Sequence, residues 1–149
     1  ENINVTPEGK RSVLELAGGD LRRVLNLLQS AAVAYDTVDA QAIYRTAGAA
    51  EPQVVSSIFQ SMINDTFKDA YETLRKSTTE FGYALVDINK ELSLQVAVTD
   101  FPHEVTAYLM DKLSNIEHRL SRGVSEKLQM GALVGAFMVS REMMTASKP

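Results

Sequence analysis

The feature that most restricts this chain is an apolar period of three to four residues that runs, with few breaks, from Pro7 to Met144. Residues three and four apart share one face of an α-helix, so this period builds helices with a buried stripe. No run alternates apolar with polar residues between Asn-Gly or Asp-Gly turns, as a hairpin would. Only four prolines interrupt the 149 residues. The spacing predicts an all-α chain without strands. Eight helices are expected, over about residues 7–17, 20–35, 39–47, 53–64, 66–76, 83–98, 103–121 and 126–145.

Local punctuation sets the ends. Thr6 suits an N-cap, Pro7 the first helical position, and Glu8 the positive end of the helix dipole. Val13, Leu14 and Ala17 form the inner face of the first helix, and Gly18-Gly19 stops it. Asp20 caps the second, which carries Leu21, Val24, Leu25, Leu28, Ala31, Ala32 and Tyr35 on one stripe. The third starts at Asp39, ends at Gly48, and buries Ala42, Ile43 and Ala47. A helix stop followed by a helix start lies between Ala47 and Pro52. It divides the chain into a three-helix bundle, 1–49, and a five-helix unit, 50–149.

In the second part the inner faces are expected from Val54, Val55, Ile58, Phe59, Met62 and Ile63, then from Phe67, Ala70, Tyr71 and Leu74. Asp65 or Thr66 caps the fifth helix, and Ser77-Thr78-Thr79 with Gly82 reads as the next loop. Ala84, Leu85, Ile88, Leu92 and Val96 follow on the sixth helix. Leu94 and Val98 lie off that stripe, which predicts burial on two sides. Pro102 opens the seventh helix, with Val105, Leu109, Leu113, Ile116 and Leu120 inward, and Gly123 ends it. Ser125 caps the eighth, with Met130, Leu133, Val134, Phe137 and Met138 inward. Gly131 and Gly135 inside that helix each cost about 1 kcal/mol relative to Ala. They predict close approach by another helix, from this chain or from a neighbouring subunit. Ala146 to Pro149 are expected to fray. The start at Glu1, without Met, reads as a piece of a longer protein or a processed product.

Little of the composition points to chemistry. There is no Cys, so disulfides, thiolate metal sites and Cys nucleophiles are excluded. His103 and His118 are the only histidines and lie in no HExxH pattern, so no metal site is read. His118, between Glu117 and Arg119, reads as a surface or ion-paired residue, and His103 as an ordinary helix-start residue. Net charge of −4 disfavours a globally basic nucleic-acid-binding domain. No stretch approaches the roughly 18–20 apolar residues of a membrane helix, and no membrane partner is expected. There is no GxxxxGK[ST] loop and no acidic strand motif, so this chain alone is not expected to hydrolyse a nucleotide. No catalytic residue is assigned. Arg119, Arg122 and Lys127, with Lys112 nearby, form either a solvated corner or a contact for an acidic partner or DNA backbone. Met138, Met143 and Met144 fit core or helix end, or else an adaptable interface.

One segment stands out: Gly18-Gly19-Asp20-Leu21-Arg22-Arg23-Val24-Leu25-Asn26. Arginine in the first turn of a helix opposes the dipole, which favours an anion there. Either the backbone N–H groups and Arg22 converge on a phosphate, or Arg22 and Arg23 solvate one face or pair with Asp20 and Glu15.

Continued through Leu27-Leu28-Gln29, this segment resembles the sensor-2 region of clamp loader small subunits, the replication factor C family of AAA+ ATPases. A second block is similar as well: Phe101-Pro102, then Ile116-Glu117-His118-Arg119-Leu120-Ser121-Arg122-Gly123, then Glu126-Lys127-Leu128-Gln129. The likeness spans essentially the whole chain and is strongest to the eukaryotic branch numbered three in yeast and five in humans. It implies that 1–49 is the lid over a nucleotide and that 50–149 is the collar joining subunits into a five-membered arc. Arg22 would be the sensor-2 arginine aimed at the γ-phosphate of ATP, with Leu21 near the nucleotide. The fragment alone would bind no cofactor; ATP and Mg²⁺ would belong to the parent, whose preceding domain carries the phosphate loop, Mg²⁺-binding acid and arginine finger. The implied partners are other clamp loader subunits through the collar, with the sliding clamp and primer-template DNA reached mainly through that preceding domain. Self-association of the fragment and a nuclear location are also implied. The residues alone leave a second reading, a freestanding helical protein-interaction module without nucleotide contact. An enzyme reading has no converging acid, base or metal cluster behind it.

Overall fold

The computed structural model describes residues 3–146. Among them are eight helices: α1 Pro7–Ala17, α2 Leu21–Ala34, α3 Ala40–Ala47, α4 Pro52–Asn64, α5 Phe67–Thr79, α6 Leu85–Val98, α7 His103–Ser121 and α8 Glu126–Ala146. No strand occurs among the described residues, so the fold is all-α, as the period requires. The chain forms two compact units, Glu1–Glu51 and Pro52–Pro149. Of the residues expected to fray, Ala146 is the last residue of α8, and 147–149 lie outside the described residues.

The first unit closes on a small core of Val13, Ala31, Val38 and Ile43. Side-chain caps start each of its helices: Thr6 accepts from the Gly9 N–H, Asp20 from Arg22 and Arg23, and Asp39 from Ala42. Gly18 and Gly48 end α1 and α3 with φ of 57° and 66°, which any residue with a Cβ adopts at a cost. The core is narrower than the apolar stripe. Leu14, Leu21 and Leu25, expected inward, are exposed by 64%, 77% and 60%. Three short helices meet at small residues such as Ala31 and Ala42, leaving the outer edge of each stripe in water.

The second unit is built around α8, which packs on α4, α5 and α7, while α6 packs on α4 and α7. Phe137 is fully buried, and its ring meets Phe59 of α4 edge-on at 6.0 Å. Phe59 in turn contacts Phe101 at 6.3 Å. Leu85, Ile88, Leu92 and Val96 of α6 face Val105, Leu109, Leu113 and Ile116 of α7, all buried. Between these helices Asn89, also buried, donates to the Leu113 carbonyl at 3.1 Å. The end of α4 is held from α8: the half-buried Arg141 guanidinium donates to the Asp65 and Asn64 carbonyls. These are groups a helix leaves open at its C-terminus.

Five expectations change here, the first at Phe67, expected inward on α5 and 47% exposed. Thr66 is the cap of α5, and α5 continues through Ser77, Thr78 and Thr79 instead of yielding to a loop. The three hydroxyls turn back onto the carbonyls of Thr73 and Arg75, so residues that favour turns are absorbed by the helix. The sixth helix begins at Leu85, not at residue 83. Leu94 and Val98 are 63% and 84% exposed, so within the chain α6 is buried on one side. A Cβ built on Gly131 or Gly135 meets nothing within 4 Å, so no described helix makes the close approach expected there.

Phe137→Ala should destabilise the second unit by about 3–5 kcal/mol, because it opens a cavity where α4 and α8 meet. The midpoint of denaturant unfolding measures this; an unchanged midpoint would place the core elsewhere.

Candidate functional site

The site is the start of α2. Gly18 and Gly19, with φ of 57° and 87°, reverse the chain after α1. Asp20 then stops the reversal by capping: its carboxylate accepts from the Arg22 N–H at 2.8 Å and the Arg23 N–H at 3.3 Å. The Val24 N–H closes the first turn on the Asp20 carbonyl at 3.0 Å. These bonds bear on the expected convergence of backbone N–H groups and Arg22 on a phosphate. The backbone donors of Arg22 and Arg23 are already taken by a carboxylate, so they do not form an open cradle. What remains for an anion is the side chain.

Leu21 and Arg22 stand side by side on the first turn, both exposed. The expected pairing of Arg22 or Arg23 with Asp20 or Glu15 is not made among the described residues. Asp20 serves the backbone, and Glu15 accepts from the Tyr44 hydroxyl at 3.5 Å. Arg22 therefore presents a planar fork of N–H donors free to take two oxygens of a phosphate or carboxylate.

An apolar groove on the same unit has no motif of its own in the sequence. Val5, Lys10, Val13, Leu14, Val24 and Leu28 line an apolar hollow of about 280 Å³ between α1 and α2. Its α2 wall begins two residues after Arg22. The signal was present as surplus: α1 and α2 carry more apolar residues than a three-helix core of this size can bury. Leu14 lines the hollow, and the exposed Leu21 and Leu25 extend its apolar character along α2.

Other candidates separate. Arg119, Arg122 and Lys127 are exposed around the α7–α8 turn with Glu126. Lys112 is not part of that corner; its ammonium meets Asp111 at 3.0 Å and lies 5.2 Å from the Tyr108 ring centre. His103 and His118 are exposed. Met138, Met143 and Met144 are half-buried on α8. A second hollow, of about 310 Å³, is lined by Asp65, Thr66, Met138, Arg141, Glu142 and Thr145. Its one cation, Arg141, is committed to the end of α4. Elsewhere, on α5, the Arg75 guanidinium bonded at 2.8 Å holds the Glu72 carboxyl below its ordinary value.

Comparison with known proteins covers both units. The family model described as "Replication factor C C-terminal domain" matches residues 50–136. "Replication factor C subunit 5" of Mus musculus is 37% identical over 146 residues, which is 98% of this chain and 43% of that protein. The Homo sapiens protein of the same name is 36% identical with the same coverage. "Replication factor C subunit 3" of Saccharomyces cerevisiae is 31% identical over 148 residues, 95% of this chain and 44% of that protein. The chain thus spans less than half the length of these relatives.

Asp20→Ala should cost about 1 kcal/mol through loss of the cap. It should also free the Arg22 and Arg23 N–H groups. Thermal unfolding followed on the first unit checks it, and an unaltered transition would mean that the cap carries no weight.

Proposed function

The chain belongs to the replication factor C family, and from that premise we propose that it is the lid and collar of a clamp loader small subunit. Residues 1–49 act as the lid over ATP held by a preceding AAA+ domain. Residues 50–149 act as the collar that joins subunits. The whole complex opens the sliding clamp and loads it on primer-template DNA in the nucleus. The observation that carries the lid assignment is Arg22: exposed, unpaired, and on a turn whose neighbouring backbone donors are occupied by Asp20.

The chemistry follows from that arrangement. A guanidinium is charged at all working pH values and binds phosphate oxygens in pairs. It supplies charge where the γ-phosphate oxygens lie, and the contact is lost when that phosphate leaves. Asp20 fixes the turn from which Arg22 reaches. Leu21, apolar and exposed beside it, covers the nucleotide. Mg²⁺ and the attacking water are positioned by the preceding domain, so this chain senses the nucleotide and does not turn it over alone.

For the collar, support comes from apolar residues that the chain itself leaves open. Leu94 and Val98 on α6 and Leu128 on α8 are 63%, 84% and 68% exposed. Neighbouring subunits cover such positions, and contacts between unlike faces build arcs or rings. The reading as a freestanding interaction module would also use these faces, but it leaves Arg22 without a task.

In the full-length protein, Arg22→Ala should lower ATP-dependent clamp loading by about 10- to 100-fold, the worth of one strong charged hydrogen bond, with assembly intact. Normal loading by the variant would remove Arg22 from the mechanism. For the collar, sedimentation of the chain at rising concentration should show self-association; a strict monomer throughout would count against these faces as subunit contacts.

A further inference from the structure

We propose that residues 3–6 are a strap that belongs to the first unit and folds as part of its core. The strap is paired to the α2–α3 connection. The Val38 N–H donates to the Asn4 carbonyl at 2.8 Å, and the Thr6 N–H donates to the Val38 carbonyl at 3.1 Å. Together they make a parallel bridge between Val5 and Val38. The Asn4 amide also donates to the Thr37 hydroxyl at 3.4 Å. Ile3 and Val5 face the core while Asn4 faces water, the period of two that a paired extended segment requires.

Gly9 makes this possible from the other side. A Cβ there would lie 2.3 Å from the Val38 carbonyl oxygen, so only glycine lets the first turn of α1 come so near. Val38, fully buried, is clamped between the strap and α1. A flexible lead-in would spend no backbone bonds and bury no apolar side chains.

The consequence is a route for force. The strap is attached at Val38, four residues beyond the end of α2 and two before the start of α3. A pull on Ile3 is therefore delivered to the α2–α3 connection through these bonds. The inference stands on the fold and holds whatever Arg22 binds.

Native-state hydrogen exchange of the 149-residue chain tests it. The Thr6 and Val38 amides should be protected to within about tenfold of the Ile43 amide in the same core. Exchange about a hundredfold faster than Ile43 would overturn the strap. Gly9→Ala should speed exchange at Thr6 and Val38 by about tenfold or more while Leu109 and Leu113 in the other unit stay unchanged. Unchanged protection at Thr6 and Val38 in that variant would show the clamp is not made. If Gly9→Ala unfolds the first unit, the comparison of the three amides in the unaltered chain still decides. Loss of Arg22's role in clamp loading would leave all of these amide rates as they are.

Discussion

The larger unit depends on one burial event, the packing of a broad face of α8. Met130, Leu133, Val134, Ala136 and Phe137 are all buried on it, together with Gln129 and Ser140. A helix buried over so wide a face needs partners on several sides, and α4, α5 and α7 supply them. The ring of Phe137 meets Phe59, whose neighbour Phe101 sits in the turn between α6 and α7. Through those rings α8 is tied by way of α4 to the turn between α6 and α7. The hydrogen bonds between elements are few and specific, as in the bond from Asn89 to Leu113.

The first unit rests on a different balance. Its core is small, so its helices are set by their ends: a capping side chain at each start and a left-handed glycine after α1 and α3. At α2 the capping carboxylate has a second effect. It satisfies the backbone where an anion would otherwise bind, so on the proposed reading anion contact falls to the Arg22 guanidinium. A site built this way responds to the position of the helix more than to its dipole.

Most of the helices were legible in the sequence because burial and capping are local signals. Asp20, Asp39, Gly18 and Gly48 act where their chemistry places them, and the α7 and α8 stripes run inward as their spacing demands. The departures share one cause: a sequence states how apolar a face is, but not whether the chain owns a partner for it. Leu14, Leu25, Leu94 and Val98 were read as buried and are open. Ser77, Thr78 and Thr79 failed for the opposite reason, since their hydroxyls found carbonyls inside the helix. Of the residues proposed for the site, Arg22 and Leu21 were readable from their motif. The groove beside them was not, because Val5 and Lys10 join it only through the fold. The pairing of residues 3–6 with Val38 was invisible for the same reason, being a contact between distant stretches.

The hold of Arg141 on the end of α4 has a bearing on how the chain is made. On a ribosome the N-terminal helices emerge first, and domains close as units once their contacts are available. Here α4 and α5 are complete long before α8, which packs on both, exists. The carbonyls of Asn64 and Asp65 wait for a guanidinium 76 residues later than Asp65. Until that segment leaves the exit tunnel, Phe59 and Leu74 face water without the helix that covers them. Synthesis therefore passes through a stage in which four helices of the unit are finished and its core is still open, a stage suited to chaperones.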